Sequence, residues 1–253
     1  MTKKFNARAQ NAKLQEYMQN PVPYKTRTYR GKALEDYIAP FSLDDLQKNV
    51  LVGVIFGDGS LSLNKGKNYN YKFDLEAASL DYVNLVYSIF SYVVGTPPSP
   101  RYINGILHSY WFRTYRLPSL KFYADTFSMI DPQTQKRRRR IPSNIHQFLN
   151  PMVLAFWFMD DGSMNPTRSG CYLHTECFPK EEVMVLQSAL GRVFGFETSL
   201  HKDDRTKKKG KIYSKLYISQ KSTREFVKLI SPYVIPCMRS RLRKFEDDIS
   251  NDI

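Results

Sequence analysis

Two aspartates, Asp58 and Asp161, stand at the same place in a phrase the chain states twice: Leu51-Val-Gly-Val-Ile-Phe-Gly-Asp58-Gly59 and Leu154-Ala-Phe-Trp-Phe-Met-Asp-Asp161-Gly162. Each copy is an apolar run that ends in a carboxylate and then a glycine. Read as helices, both runs put that carboxylate at the negative end of the macrodipole, which is unfavourable by roughly 0.3–1 kcal/mol. A cation removes that penalty. An intramolecular repeat implies a pseudo-two-fold axis, and helices paired about it would bring the two carboxylates to one end. There they would repel unless hard divalent cations lay between them, and oxygen ligands of this kind suit Mg²⁺. The backbone carbonyls of Gly57 and Asp160 are further candidate ligands, because the last carbonyls of a helix lack internal partners.

The flanking residues punctuate both runs as helices. Ser42-Leu-Asp44-Asp45 precedes the first, with serine expected as N-cap, and Asn150-Pro151 precedes the second as a capping amide with proline at the first helical position. The closing glycines suit a left-handed C-cap. Being apolar nearly all round, both helices should be buried. Gly53 and Gly57 leave room for another backbone to approach.

The chain has 253 residues, 42% of them hydrophobic and 14% aromatic, enough for a sizeable core. Its formal net charge of +14 calls for an anionic partner, nucleic acid or an acidic membrane surface. No apolar stretch is long enough to span a bilayer and no secretory signal opens the chain, so a soluble protein is expected. Three cysteines form no disulfide framework, which fits a reducing compartment. Cys171, His174 and Cys177 fall on a predicted strand that would turn the cysteines and the histidine to opposite faces, which argues against zinc.

Taken in order, residues 1–33 read as a basic extension interrupted by Pro21 and Pro23, either a solvated tail or an arm along phosphates, with no amphipathic helix evident; its acid-poor composition is compatible with a transit peptide. After the first apolar helix come strands at Ser60–Leu63 and Asn70–Glu76, a helix over Leu80–Val94, a hairpin turning at Asn104-Gly105, and a helix from about Pro118 to Met129. The second half repeats the order, with strands at Cys171–Cys177, Phe196–Lys202 and Lys211–Ile218 and helices at Lys180–Phe194 and Ser222–Ile230. The expected fold is therefore α+β: two fused half-domains, 34–135 and 136–253, each helix, two strands, helix, two strands, helix.

One face of each strand is polar. Ser60 and Ser62, then Lys72 and Asp74, then Arg101, Arg113 and Arg116 line the first half, while Asn165, Arg168, Lys211, Tyr213, Lys215 and Tyr217 do so in the second. Such ribbons fit a DNA major groove, where base edges distinguish all four pairs. The clusters Lys136-Arg137-Arg138-Arg139-Arg140, Arg205 with Lys207-Lys208-Lys209, and Arg239 with Arg241, Arg243 and Lys244 would serve phosphates.

These phrases resemble the paired motifs of the LAGLIDADG homing endonucleases, the second copy being similar to the variant of single-chain, intron-encoded members from organelles. The similarity extends over roughly Leu34 to Phe245. It implies two αββαββα half-domains with saddle-shaped antiparallel sheets joined through the motif helices, and metal binding by Asp58 and Asp161. It further implies a monomer that reads a long asymmetric site in double-stranded DNA and leaves short 3′ overhangs. Mg²⁺ would support cleavage, Mn²⁺ would substitute, and Ca²⁺ would permit binding without turnover. The family's lysines near the scissile phosphates correspond here to Arg139 and Arg241, which keep positive charge but are poor bases. Phe156 and Asp160 depart from the small residues of the consensus. The implied location is an organelle, mitochondrion or chloroplast. The alternative is a maturase binding intron RNA, or a DNA-binding relic without cleavage. Other nuclease signatures are weaker: Asp74-Leu-Glu76 has Ala78 where a PD-(D/E)xK site needs lysine, and His108, His146, His174 and His201 form no HNH-like cluster.

Overall fold

The computed structural model describes residues 5–63, 70–165, 170–202 and 214–242. They divide into two compact units, Phe5–Ala124 and the residues from Asp125 onward.

In the first unit α1 (Ala7–Gln19) and α2 (Gly31–Ile38) precede α3 (Asp45–Phe56), the first motif helix. The cap of α3 is Asp44 rather than Ser42. Its carboxylate accepts from the Gln47 N–H at 2.9 Å, and the Gln47 side chain accepts from the Asp44 N–H at 3.1 Å, a reciprocal box that fixes the start two residues later than serine would. Val50 to Phe56 are all buried, as an all-round apolar helix requires.

Four strands follow α3: β1 (Ser60–Leu63) and β2 (Tyr71–Ala77), then, beyond α4 (Leu80–Phe90), β3 (Ser99–Ile103) and β4 (Ile106–Arg113). They form an antiparallel sheet in the order β1-β2-β4-β3. Tyr71, Phe73, Leu75 and Ala77 are buried while Lys72, Asp74 and Glu76 lie half-exposed, so the period-two reading of β2 holds. Phe73 packs against Phe90 of α4 and Phe112 of β4, with ring centroids 5.1 and 5.9 Å apart, which ties the sheet's apolar face to the helix.

The N-terminal segment contains two helices that its sequence did not make evident. Asn6 caps α1 by accepting from the Ala9 N–H at 3.1 Å, and Leu14 is fully buried. Lys13 pairs with Asp44 at 2.6 Å. Beyond Pro21 the chain is strapped to the first unit: the Val22 N–H donates to Ser88 Oγ at 3.0 Å, and the Arg27 guanidinium to the carbonyls of Ser91 and Val94 at 2.7 and 3.1 Å. These cations serve packing, which composition alone does not reveal.

α5 (Lys121–Phe127) stops two residues short of the expected Met129. Ser128–Ile130 instead forms β5, antiparallel to β6 (Arg137–Arg139), so the arginine run is a strand. In the second unit α6 (Pro151–Asp161) is capped by Asn150, which accepts from the N–H groups of Met152 and Val153, both at 3.1 Å. The second sheet comprises β7 (Gly162–Met164), β8 (Gly170–Leu173), β9 (Thr198–Lys202) and β10 (Ser214–Ser219), with α7 (Lys180–Phe194) and α8 (Gln220–Ile230) completing the unit. Its order, β7-β8-β10-β9, reproduces the first sheet's. β8 ends at Leu173 rather than Cys177, because Thr175 to Phe178 closes a turn, the Phe178 N–H donating to the Thr175 carbonyl at 3.0 Å. Among the described residues no helix is long and apolar enough to cross a membrane.

Candidate functional site

Both motif helices end by folding the chain back over the last turn, and that explains the closing glycines. Neither is left-handed: Gly162 has φ −99°, and Gly59 is absent from the positive-φ residues. A Cβ at Gly59 would lie 2.5 Å from Val54 Cγ1, and one at Gly162 would lie 2.5 Å from both Cγ and the carbonyl oxygen of Phe158. Glycine is required by close approach, correcting the C-cap expectation. In the first unit the N–H groups of Gly57 and Gly59 both donate to the Val54 carbonyl, at 3.0 and 2.8 Å, leaving Asp58 exposed between them. In the second, the Gly162 N–H donates to the Phe158 carbonyl, and the Asp161 carbonyl accepts from the His174 N–H at 2.9 Å. Each aspartate therefore leaves its helix directly into the first strand of a sheet.

Asp58 opens onto a cleft of about 630 Å³ on the polar face of the first sheet, shared with Ser60, Asp74, Glu76, Arg101, Tyr102, Trp111 and Arg113. Its charges are paired. Asp74 accepts from Ser62 Oγ at 2.6 Å and from Arg113 Nε at 2.8 Å, and Glu76 accepts from Ser109 Oγ at 2.6 Å and from Arg101. The Ser109 hydrogen bond, with Arg101 beside it, holds the Glu76 carboxyl below the ordinary range. Arg113 also lies over the Trp111 ring, 4.9 Å from its centroid. Lys72 is half-exposed on β2, and Arg116 is exposed beyond β4.

Asp160 and Asp161 border a second cleft of about 450 Å³ with Gly162, Ser163, Met164, His174 and Arg241. Arg241, at the end of the 3-10 turn Pro236–Arg241 that also carries exposed Arg239, donates to the Met159 carbonyl at 2.8 Å. Burial pushes the Cys177 thiol up to about 11, with Arg139 lowering it and Asp161 raising it; Arg139 itself is half-buried on β6 and does not line this cleft. The other arginines of the run serve the fold. Arg138 pairs with Glu182 at 2.7 Å, Arg137 donates to Ser128 Oγ at 2.6 Å, and Arg140 donates to the Thr126 and Asp125 carbonyls, both at 2.9 Å.

His174, which sequence reasoning left outside the site, lines this cleft. Its Nε2 lies 3.0 Å from Ser163 Oγ and its Nδ1 lies 3.1 Å from Glu176, which in turn faces Lys215 Nζ at 3.6 Å. Burial works against the Glu176 charge, but the His174 hydrogen bond, its own backbone N–H and Lys215 outweigh it and leave the carboxyl below its usual range. The signal available in sequence was only register, since Ser163 and His174 lie eleven residues apart. Further along this face Tyr217 stacks on His201, centroids 4.5 Å apart, beside Tyr172. Asn165 closes the β7–β8 hairpin, its N–H donating to the Gly170 carbonyl at 2.9 Å. The predicted contacts Arg168, Arg205, Lys207, Lys208, Lys209, Lys211 and Tyr213 lie outside the described residues.

The donors suit a hard cation: carboxylates of Asp58, Asp160 and Asp161 and carbonyls at helix ends, with no thiolate lining either cleft. Among the described residues no three His, Cys, Asp or Glu side chains cluster as a metal site. Such sparse protein ligation fits an ion like Mg²⁺, which keeps several waters and borrows substrate phosphate oxygens.

A helix ending in an acid at the edge of a polar-faced antiparallel sheet, built twice in one chain, matches what comparison with known proteins returns. Residues 48–226 match the model of the LAGLIDADG DNA endonuclease family, and the chain belongs to that family. DNA endonuclease I-ChuI of Chlamydomonas applanata is 29% identical over 211 residues, covering 79% of this chain and 96% of that protein. Cytochrome b mRNA maturase bI2 of Saccharomyces cerevisiae is 23% identical over 222 residues, 85% of this chain and 51% of that protein. The homing endonuclease I-WcaI bound to its DNA recognition sequence superposes with a TM-score of 0.73 at 25% identity, covering 85% of this chain and 94% of that one. The chain is thus a nuclease by family, with the two-sheet fold of a homing endonuclease.

Proposed function

We propose that this chain acts as a monomer and cuts both strands of a long, asymmetric DNA site, leaving short 3′ overhangs, in the manner of intron homing. The observation that carries this reading is the repetition: each half, 34–135 and 136–253, sets one motif carboxylate, exposed Asp58 or half-buried Asp161, at a cleft on the edge of a sheet with polar side chains. The relatives named above and the net charge of +14 support it.

Asp58 and Asp161, with the Gly57 and Asp160 carbonyls, hold divalent cations, Mg²⁺ by preference, with Mn²⁺ substituting and Ca²⁺ supporting binding alone. The chemistry supplied by a bound Mg²⁺ is acidification of water and stabilisation of charge on the phosphate oxygens. Arg139 and Arg241 present positive charge to the phosphate without acting as bases. The sheet faces supply base contacts, and Arg137 to Arg140 with Arg239 supply phosphate contacts to the extent that their internal partners release them. The setting is an organelle.

The similarity to a cytochrome b mRNA maturase favours a second reading, in which the chain binds intron RNA. Selection from a random duplex library in Ca²⁺, followed by Mg²⁺ and sequencing of new ends, separates the two. Defined ends on duplex DNA support the endonuclease. Preferential competition by structured RNA of equal length, with duplex left uncut, supports the maturase.

A further inference from the structure

The outer hairpin of the first sheet ends in apolar side chains that the core does not use. Ile106 is 73% exposed, Tyr102 61%, Ile103 46% and Leu107 44%, around a turn in which Asn104 and Gly105 have φ of 51° and 78°. Two successive positive φ values make the tight turn whose twist suits a hairpin. A cluster of exposed aliphatic side chains on a strand end costs solvation and invites aggregation, so it calls for a partner.

The register says which face two of these residues occupy. Arg101 pairs with Ser109 and Tyr102 with Leu107, a bulge that skips His108. Tyr102 lines the same cleft as Glu76, Arg101, Trp111 and Arg113, and Leu107, its direct cross-strand partner, shares its side of the hairpin. The open face thus changes character along its length, from Asp58 through paired charges to an apolar end at Tyr102 and Leu107.

We infer that Tyr102 and Leu107 read thymine 5-methyl groups in the major groove of the outer part of the target. This rests on the endonuclease reading above. A two-stranded ribbon fits the groove, and the thymine methyl is the one apolar group that base edges display there, so aliphatic and aromatic side chains distinguish thymine where hydrogen-bonding side chains would choose other bases. The continuous cleft from Asp58 to Tyr102 places this contact on the same duplex that meets the carboxylate.

The test uses the full chain and the duplex enriched from a random library in Ca²⁺. Each thymine is replaced singly by deoxyuridine, which removes only the methyl group. Binding should weaken about 3- to 5-fold, the worth of one buried methyl, at one or two neighbouring positions toward one end of the site. In Leu107→Ser and Tyr102→Ser, which change exposed side chains, those positions should become indifferent to the methyl while thymines elsewhere respond as before. Equal binding of thymine and deoxyuridine everywhere, or undiminished methyl sensitivity in both variants, overturns the inference and leaves the endonuclease intact. Failure to enrich any duplex overturns the endonuclease reading itself. Self-association of the free chain that Ile106→Ser abolishes would assign the tip to a second copy and overturn the methyl contact.

Discussion

Arg241 donates to the carbonyl of Met159 across 2.8 Å, which fixes a guanidinium at the C-terminal end of α6 beside Asp160 and Asp161. The bond satisfies a helix-end carbonyl, and the charge opposes both the macrodipole and the two carboxylates. Arg241→Ala should lower unfolding free energy by about 1 kcal/mol in urea titrations, as loss of a partly exposed charge-assisted bond does. It should also slow single-turnover cleavage about tenfold or more while leaving binding in Ca²⁺ within a few-fold. Arg241→Lys should recover part of the rate but not the stability.

Gly162→Ala should be among the more damaging single substitutions. Its Cβ would lie 2.5 Å from Phe158 Cγ and from the Phe158 carbonyl, and Phe158 is buried. Relieving that overlap means shifting the start of β7, at a cost of roughly 1–3 kcal/mol. Thermal unfolding measures it, and an unchanged Tm would contradict the close-approach account of the glycine.

Glu76 gives a pH dependence whose sign is fixed. Ser109 and Arg101 stabilise its charged form, so its folded pKa lies below the unfolded value of about 4.3. The contribution is present above the unfolded pKa and lost as pH falls through the folded one. Glu76→Gln should therefore lower stability near neutrality, and the difference from the parent chain should shrink as pH falls below about 4.3. A difference confined to acid pH, with none near neutrality, would contradict the assignment.

Binding should be steeply salt-dependent. If about ten phosphates are neutralised, the log–log slope of affinity against salt is near −9. Because Arg101, Arg113 and Arg138 already pair with Glu76, Asp74 and Glu182, a slope several units shallower is compatible with them keeping those partners. A slope shallower than about −3 would count against a duplex contacted by both halves.

Much of this architecture was legible because it is periodic. The two apolar phrases, the alternation in Tyr71–Ala77 and the Asn104-Gly105 turn each carry a local signal, and the repeat of element order supplied the fold. What escaped reading depends on partners distant in sequence. Leu14 and Arg27 tie the N-terminal segment to α3 and α4 through contacts that composition does not announce. Ser42 loses the cap to Asp44 because only Asp44 lies three residues before a glutamine. The closing glycines look like helix C-caps in sequence, yet the structure needs them for contact with Val54 and Phe158. His174 joins the site through β7–β8 register, and Arg137, Arg138 and Arg140 of the arginine run are held by partners within the fold.

In the proposed mechanism Asp58 and Asp161 would hold the divalent ions needed to cut DNA. The most direct measurement places a different label on each strand of the selected duplex and follows both in Mg²⁺ for Asp58→Asn and Asp161→Asn, with affinity measured in parallel in Ca²⁺. Each substitution should abolish cutting of at least one strand, while duplex affinity stays within about tenfold. Undiminished cutting of both strands by both variants would contradict it.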